Sequence, residues 1–167
     1  VQDGFAVAQG RVMGFLDIDL VVSPVHILEM YQAIDLGGAD MAIARRIYRT
    51  SLHPSSVLRD ALSYGYRFLA RSYLLLDIED TEAGYKFFER SAYARLAPVC
   101  RNAGWFWDTE LIAQAMMRGM KLRPIPCLYQ RSRDKFSTVR PLRDSWEYIC
   151  QLVRFRHLNG IALAAAR

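Results

Sequence analysis

Cysteine and histidine are scarce in this sequence, and neither is spaced for a structural site. The 167 residues contain three cysteines, at positions 100, 127 and 150, and three histidines that form no cluster. An odd cysteine count without metal-type spacing excludes a disulfide framework and a zinc site of the usual pattern. We therefore expect ordinary buried thiols in a reducing compartment, which favours a cytoplasmic protein.

Long apolar runs are also absent. No stretch approaches the roughly 18 consecutive apolar residues of a membrane-spanning helix, and the terminal GIALAAA is far too short. The opening VQDGFAVAQG lacks the basic and apolar regions of a secretory signal. There is no internal repeat and no low-complexity tract. These absences argue against a transmembrane helix in this segment and against a repeat protein.

Apolar and basic residues, by contrast, are abundant. Hydrophobic residues make up 52% of the chain and aromatic residues 12%, enough for one domain with a sizeable core. Lys and Arg together number 22 against 17 acidic residues, which gives a net charge of +5. This excess points to an anionic partner, such as nucleic acid, a phosphorylated ligand or membrane headgroups. Charge alone does not choose among them.

The first 45 residues predict a βαβ pattern. Residues 14–20 are a strand-like apolar run, Ser23-Pro24 is a helix start, and Gly37-Gly38 is a helix stop. Residues 40–45 then predict a short buried strand. A strand, a helix and a second strand in this order favour an α/β fold.

The rest of the chain continues this alternation. Helices are predicted at residues 55–73, 91–99, 109–119 and 144–158, and strands at the aromatic segment near residue 85 and at residues 121–130. Pro124 and Pro126 have no N–H to donate to a neighbouring strand. The last predicted strand therefore belongs at a sheet edge.

The first predicted strand carries two aspartates one residue apart. Because side chains on a strand alternate between faces, Asp17 and Asp19 would share one face. Phe15, Ile18 and Leu20 are expected in the core. The two aspartates would lie roughly 7 Å apart at their backbones and repel each other unless a cation, a hydrogen-bond donor or water intervenes. A divalent cation would relieve the repulsion, but a solvated strand end explains the pair equally well.

Five segments follow in a recognisable order: GFLDIDL, ADMAIARRIY, DTEAGYKFF, FWDTELIAQAMMRG and KLRPIPCLYQ. They resemble the metal-binding strand end, the Gly-Ser-Arg-Tyr segment, the Asp-x-x-x-Gly-Phe-Lys segment, the following helix and the proline-containing strand of family-2 glycosyltransferases of the GT-A fold. Within this family the chain resembles the dolichyl- or polyprenyl-phosphate mannose or glucose synthases. The resemblance covers residues 4–145.

The resemblance implies part of a GT-A domain, an α/β structure with a Rossmann-like mixed sheet flanked by helices. Residues 1–143 would be the C-terminal portion of that domain, and residues 144–167 a terminal amphipathic helix and tail. Family members begin with a nucleotide-binding portion that has no counterpart here. We therefore expect the isolated 167-residue chain to be inactive.

The resemblance also suggests a role for the two aspartates. Asp17 and Asp19 would hold Mg²⁺ or Mn²⁺ against the diphosphate of a nucleotide sugar. Val21 stands where many synthases carry a further Gln ligand. Water can fill that position, since Mg²⁺ usually keeps several waters.

Two further positions match family motifs. Arg46 matches the arginine of the Gly-Ser-Arg segment and would contact the acceptor phosphate, although Ala44 and Arg45 replace the glycine and serine. Asp80 matches an aspartate proposed as a base or as a group that orients the acceptor; a role as a turn cap is equally plausible. Lys86 is expected to be structural or to lie on the nucleotide side.

Two Arg-x-x-x-Ser pairs are candidates for binding the acceptor phosphate. Arg59 and Ser63 share one face of a predicted helix, and Arg133 and Ser137 repeat the spacing in a basic loop. Without the resemblance, a solvated basic surface explains these residues better. With it, phosphate binding is favoured.

The segment around residue 108 supplies candidates for a different acceptor. Asp108 and Glu110 stand where related transferases with hydroxyl acceptors carry their general base. Trp105 and Trp107 would stack on a sugar, lie at a lipid interface or pack in the core.

Residues 144–158 predict an amphipathic helix that carries Arg154, Arg156 and His157 beside its apolar side chains. Such a helix can lie on an anionic membrane, which would make the protein peripherally membrane-associated. Packing on its own domain explains the pattern equally well.

The resemblance as a whole implies an inverting, metal-assisted glycosyltransferase that moves a hexose from a nucleotide sugar to a polyprenyl phosphate of the dolichyl type. Nucleic acid is not expected as a partner. Two alternatives stay open. One is a family-2 enzyme with a saccharide or other hydroxyl acceptor, and the other is a non-catalytic basic module that binds lipid or anions.

Overall fold

Four strands form one mixed sheet in the computed structural model, which describes residues 1–48, 64–65, 67–102, 104–129 and 141–165. In chain order the elements are α1 (Gln2–Val7), β1 (Val12–Leu16), a 3₁₀ turn (Pro24–His26), α2 (Ile27–Asp35), β2 (Met41–Tyr48), α3 (residues 67–74), β3 (Tyr85–Glu89), α4 (Arg90–Leu96), α5 (Trp107–Met117), β4 (Leu122–Tyr129) and α6 (Pro141–Ala165). Strands alternate with helices, so the predicted α/β class is confirmed.

The strand order is β1-β3-β2-β4. β3 is antiparallel to both of its neighbours, and β2 is parallel to β4. β1 and β2 therefore run in the same direction, as the βαβ pattern predicts, but β3 lies between them. This later strand makes the sheet mixed, as the resemblance to the GT-A fold implies.

The two prolines of β4 lie at the end of the strand order. Pro124 stands opposite Ile43 and Pro126 opposite Arg45 in the parallel ladder with β2. The sequence-based prediction of an edge strand is therefore confirmed, and its reason is the missing N–H of each proline.

Helices cover both faces of the sheet. Met41 and Ile43 of β2 pack in one cluster with side chains of α1, α4 and α5, whereas Ala42 and Ala44 pack in a second cluster with α2. Both faces of β2 are buried, which explains its nearly continuous apolar sequence. A third cluster brings together side chains of α3, α5 and α6, and it includes Phe106.

Helix α6 packs on the domain by one side. Tyr148, Leu152 and Phe155 of α6 are buried in the third cluster. The helix extends well beyond the predicted residues 144–158 at both ends. Among the helices in the described ranges, none combines the length and apolarity that a bilayer-spanning segment requires.

The prediction that the first strand continues through the two aspartates is wrong. β1 ends at Leu16, and the backbone N–H of Leu20 donates to the carbonyl oxygen of Asp17 at 3.1 Å, which closes a turn. Leu20 adopts a φ of 53° in this turn. Ile18 is 97% exposed and Leu20 51% exposed, so neither belongs to the core as expected. A local turn has overridden the strand preference of the apolar side chains.

The helix signals around α2 are largely confirmed. The hydroxyl of Ser23 accepts a hydrogen bond from the N–H of Val25, which makes Ser23 a cap as predicted. The first turn after it is a 3₁₀ turn, and α2 follows. The chain leaves the helix at Gly37-Gly38, where Gly38 takes a φ of +63° that favours glycine. Helix α1 was not predicted.

Candidate active site at the strand ends

The candidate site lies at the end of the sheet where β1 stops and β3 begins. Asp17 follows β1, Gly84 precedes β3, and Arg46 lies in the second half of β2. Since β1 and β2 run opposite to β3, these three segments reach the same end of the sheet. Residues that are far apart in sequence therefore share one surface.

Gly84 holds Asp17 at close range. The N–H of Asp17 donates to the carbonyl oxygen of Gly84 at 2.8 Å. A Cβ atom at Gly84 would collide with the carboxylate of Asp17. Glycine is thus required here by the close approach of the Asp17 carboxylate.

The carboxylate of Asp17 lies among four other charged side chains. Asp17 is exposed on one side, but the protein packed around its carboxylate partly desolvates it, and this desolvation is the main cause that raises its pKa to about 6. The negative charges of Asp108 and Asp19 act in the same direction, whereas Lys86 and Arg46 lower the pKa. Side chains from the β1 turn, β2, β3 and α5 are therefore electrostatically coupled at this point.

Lys86 is the buried cation of this cluster. Its fully buried ammonium donates to Oδ1 of Asp108 at 2.5 Å and to the carbonyl oxygen of Ala83. It also lies 5.6 Å from the ring centroid of Phe15, which stands opposite Lys86 in the β1–β3 ladder. Burial of an unpaired charge is costly, so these contacts are needed to keep Lys86 inside. They tie β3 to the first turn of α5.

The two predicted metal ligands both lie in the turn after β1. Oδ1 of Asp19 accepts a hydrogen bond from the N–H of Val21 at 3.3 Å. Within the described ranges, no three His, Cys, Asp or Glu side chains form a ready-made metal site. The repulsion among Asp17, Asp19 and Asp108 nevertheless fits a divalent cation that takes its other ligands from water and substrate phosphates, as Mg²⁺ commonly does. The metal site remains a prediction.

Arg46 and Asp80 form a bidentate ion pair. Nε and Nη2 of Arg46 donate to Oδ2 and Oδ1 of Asp80 at 2.7 and 2.8 Å, and the backbone N–H of Arg46 donates to Oδ2 at 3.0 Å. Burial alone would raise the pKa of Asp80, but the hydrogen bonds and charge of Arg46 hold it below its ordinary value. A carboxylate with a lowered pKa and both oxygens bonded to Arg46 is a weak proton acceptor, so Asp80 suits the predicted orienting role better than the role of a base.

Two charged residues near this pair were not among the predicted site residues. Oε2 of Glu82 lies 4.0 Å from Nη2 of Arg46, and Arg67 of α3 is electrostatically coupled to both Asp80 and Glu82. The DTEAGYK motif contains Glu82, but only the folded chain shows that its carboxylate shares a guanidinium with Asp80.

A buried chain of hydroxyl groups connects the site to α6. The hydroxyl of Thr109 donates to the hydroxyl of Thr81 at 3.0 Å and lies 2.8 Å from the hydroxyl of Tyr148. Because Thr81 lies between Asp80 and Glu82, this network fixes their loop to the first turn of α5 and to α6.

The structure separates the two predicted general bases. Asp108 is in the Asp17 cluster, whereas the buried carboxylate of Glu110 accepts a hydrogen bond from the N–H of Asn102 at 2.9 Å. Residues two apart on a helix point about 200° apart, so the two side chains diverge. Glu110 therefore stabilises the segment before α5, and of the two carboxylates only Asp108 lies in the Asp17 cluster.

The two tryptophans of this segment also differ. Trp107 is buried and packs against Phe15, with ring centroids 5.6 Å apart, so it belongs to the core. Trp105 is 59% exposed. The remaining predicted phosphate ligands, Arg59, Ser63, Arg133 and Ser137, lie outside the described residues.

A mixed sheet flanked by helices, with charged side chains gathered at its strand ends, defines an α/β domain consistent with part of a GT-A glycosyltransferase. Residues 1–97 match the family described as Glycosyl transferase family 2. This match covers more than half of the 167 residues, and the chain belongs to glycosyltransferase family 2. The resemblance inferred from the ordered motifs is thereby confirmed.

The chain is similar to several curated transferases. It is 27% identical over 143 residues to Glycosyltransferase AglD of Haloferax volcanii, covering 85% of this chain and 23% of the relative. It is 26% identical over 127 residues to the Dolichyl-phosphate beta-glucosyltransferase of Saccharomyces cerevisiae, covering 73% and 37%. The human protein of the same name is 29% identical over 126 residues, covering 64% and 39%. The chain thus spans 23 to 39% of the length of these relatives.

Proposed function

We propose that this chain is part of a glycosyltransferase that moves a hexose from a nucleotide sugar to a polyprenyl phosphate, with inversion at the sugar carbon. The observation that carries the proposal is the coupled cluster of Asp17, Asp19, Asp108, Lys86 and Arg46, which combines carboxylates and cations at one sheet end. Two of the similar proteins are named for dolichyl phosphate as the group they glucosylate, which supports the acceptor class.

The donor side of the site is proposed at the turn after β1. Asp17 and Asp19 would hold Mg²⁺ or Mn²⁺, which would stabilise the negative charge of the departing nucleoside diphosphate. Gly84 keeps the carboxylate of Asp17 against the end of β3. Lys86 keeps Asp108 in place and limits the repulsion among the carboxylates.

The acceptor side is proposed around the basic residues. A lipid phosphate is ionised near neutral pH, so it needs positioning and partial charge compensation more than a base. Arg46 is already oriented by Asp80 for this task. By the family resemblance, Arg59 with Ser63 and Arg133 with Ser137 would add guanidinium and hydroxyl contacts.

Helix α6 supports a peripheral association with an anionic membrane on the cytoplasmic side. Its outer face exposes Trp146 by 68%, Val153 by 47% and Ile161 by 91%. These residues are seven and eight positions apart, so they follow one side of the helix. Arg143 and Arg154 are exposed on the same helix and would contact anionic headgroups.

One observation favours a second candidate, a family-2 transferase with a hydroxyl acceptor. Asp108 lies beside the Asp17 carboxylate in the first turn of α5, where a general base could reach a substrate hydroxyl. Its ion pair with Lys86 counts against this role, because Oδ1 of Asp108 already accepts a hydrogen bond from the buried ammonium and is engaged before any substrate arrives.

A transfer assay separates these candidates. The complete protein that contains this chain is incubated with a radiolabelled nucleotide sugar and either a polyprenyl phosphate or a saccharide acceptor. We expect metal-dependent label in the polyprenyl phosphate. Label only in the saccharide would favour the hydroxyl acceptor, and binding of polyprenyl phosphate without any transfer would indicate a non-catalytic module.

A further inference from the structure

Glu82 is a second anionic neighbour of the Arg46 guanidinium. Its Oε2 atom lies 4.0 Å from Nη2, and its side chain is 23% exposed. Asp80 already accepts hydrogen bonds from Nε and Nη2 of the same guanidinium at 2.7 and 2.8 Å. The Glu82 carboxylate is therefore held loosely by comparison, and it can respond to an incoming ligand.

Charged and titratable groups from several elements face Glu82: Arg46 of β2, Arg67 of α3, Asp80 of its own loop, Lys86 of β3 and Tyr148 of α6. Burial is the main cause that raises the pKa of Glu82 to about 7, and Asp80 acts in the same direction. The cations lower it. Glu82 thus changes protonation near neutral pH, while the pKa of Asp80 is held low by Arg46.

The local charge balance depends on whether the Glu82 carboxylate is protonated. Arg46 and Arg67 are both coupled electrostatically to Asp80 and Glu82, so each ionised carboxylate offsets part of the positive charge of the two guanidiniums. A phosphomonoester brings nearly two further negative charges, since its second pKa is about 6. Protonation of Glu82 removes one negative charge beside the guanidinium of Arg46 and thereby reduces the repulsion that an incoming dianion meets.

We propose that Arg46 and Arg67 bind a phosphomonoester dianion and that Glu82 takes up one proton when this ligand binds. The proposal rests on the proposed function, in which the ligand is the phosphate of the acceptor lipid. The proton comes from the solvent and no covalent bond changes on binding. The phosphate keeps both negative charges, so it stays a nucleophile, and Glu82 loses the proton again when the ligand leaves.

The first experiment measures proton uptake directly. The 167-residue chain is titrated with farnesyl phosphate by calorimetry, in buffers of different ionisation enthalpy. At about pH 8, where free Glu82 is mostly ionised, we expect uptake of close to one proton and binding several-fold weaker than at about pH 7. A farnesyl methyl phosphate diester carries a single charge and should show much weaker proton uptake.

Point variants then test whether Glu82 is the group that takes up the proton. Glu82→Gln is neutral at every pH, so it should bind farnesyl phosphate without proton uptake and more tightly than the parent at about pH 8. Glu79→Gln is the matched control, because Glu79 is exposed in the same loop and pairs with Arg45 instead. It should keep the parental proton uptake. Arg67→Ala should weaken binding roughly ten to a hundredfold, the usual loss for a charge-assisted contact.

Absence of proton uptake by the parent at about pH 8 would overturn the proposal, and so would parental uptake in Glu82→Gln. Inorganic phosphate should bind more weakly than farnesyl phosphate with the same uptake. Equal affinity would assign the site to free phosphate instead of a lipid. The transfer assay is scored independently, so proton-linked binding without transfer to polyprenyl phosphate would refute the proposed function and leave the proton linkage intact.

Discussion

The guanidinium of Arg46 holds the carboxylate of Asp80 through two side-chain hydrogen bonds of 2.7 and 2.8 Å, and the Arg46 backbone N–H adds a third of 3.0 Å. Asp80 is only 1% exposed, so this pair anchors the loop before β3 to strand β2. The same loop carries Glu82 and ends at Gly84, which contacts Asp17. One buried ion pair therefore supports both the proposed acceptor side and the proposed donor side of the site.

Asp80→Asn should destabilise the fold by on the order of 3 kcal/mol, because the substitution removes the charge of a buried carboxylate that accepts three hydrogen bonds from Arg46. Urea unfolding of the 167-residue chain measures the loss. Glu79→Gln is the control, since it breaks the exposed Arg45–Glu79 pair and should cost less than about 1 kcal/mol. Similar losses in the two variants would contradict the anchoring role of Asp80.

Gly84→Ala should displace the carboxylate of Asp17, because the added methyl group would occupy its position. We expect a loss of roughly 1–3 kcal/mol in the free energy of unfolding and weaker Mn²⁺ binding, measured by electron paramagnetic resonance. Gly160→Ala is the matched control. Apart from the adjoining backbone of its own helix, no atom lies within 4 Å of the added Cβ of this residue of α6, so the substitution should stabilise the chain by about 0.5–1 kcal/mol. Unchanged Mn²⁺ binding by Gly84→Ala would show that Asp17 does not depend on this contact.

Glu82→Gln should change how stability depends on pH. The pKa of Glu82 is raised from 4.5 to about 7 in the folded state, so its favourable contribution is complete below about pH 4.5 and is lost as the pH rises to about 7. The Gln variant does not ionise. It should therefore match the parent near pH 4 and exceed its stability near pH 8 by on the order of 2 kcal/mol. Parallel stability curves of the two proteins between these pH values would rule out a raised pKa at Glu82.

Asp19→Ala in the complete protein should abolish metal-dependent transfer, whereas Val21→Ala should leave it close to parental. The first substitution removes a charged ligand of the proposed cation and the second only trims an apolar side chain. Steady-state rates across a Mn²⁺ titration test this difference. Equal metal dependence of Asp19→Ala and the parent would end the metal hypothesis.

Arg59→Ala and Arg133→Ala should each weaken the use of a phosphate acceptor roughly ten to a hundredfold, with little change in donor use. If the acceptor is instead a hydroxyl, Asp108→Asn should cause the larger loss, on the order of 10²–10⁴ in rate. Titrating donor and acceptor separately distinguishes these outcomes. Glu110→Gln is a control for position on α5. The buried carboxylate of Glu110 accepts a hydrogen bond from the N–H of Asn102, so this substitution should mainly reduce stability.

Several features followed from short-range patterns in the sequence. The alternation of strands and helices, the cap at Ser23 and the edge position of β4 depend on side-chain periodicity and on the backbone limits of proline, and each is confirmed. The order of the five motifs was sufficient to identify the family, because each motif is contiguous in the chain.

The arrangement of the site required the tertiary structure. Asp108 and Glu110 are chemically similar neighbours in sequence, yet one lies in the Asp17 cluster and the other is buried against Asn102. The turn at residues 17–20 exposes apolar side chains that alternation had assigned to the core. Local composition could not decide these outcomes, because they depend on which helix and which loop pack beside the strand end.

The sequence by itself determined which chemical groups are present and which local structures they favour: an α/β order, two acids after an apolar run, and an excess of basic residues. Only the tertiary structure decided that Arg46 pairs with Asp80, 34 positions away, and that Glu82 remains as a loosely held second carboxylate. The physical reason is that hydrogen-bond geometry and desolvation depend on distances across the sheet. Two carboxylates with nearly the same intrinsic pKa therefore acquire opposite shifts within one loop.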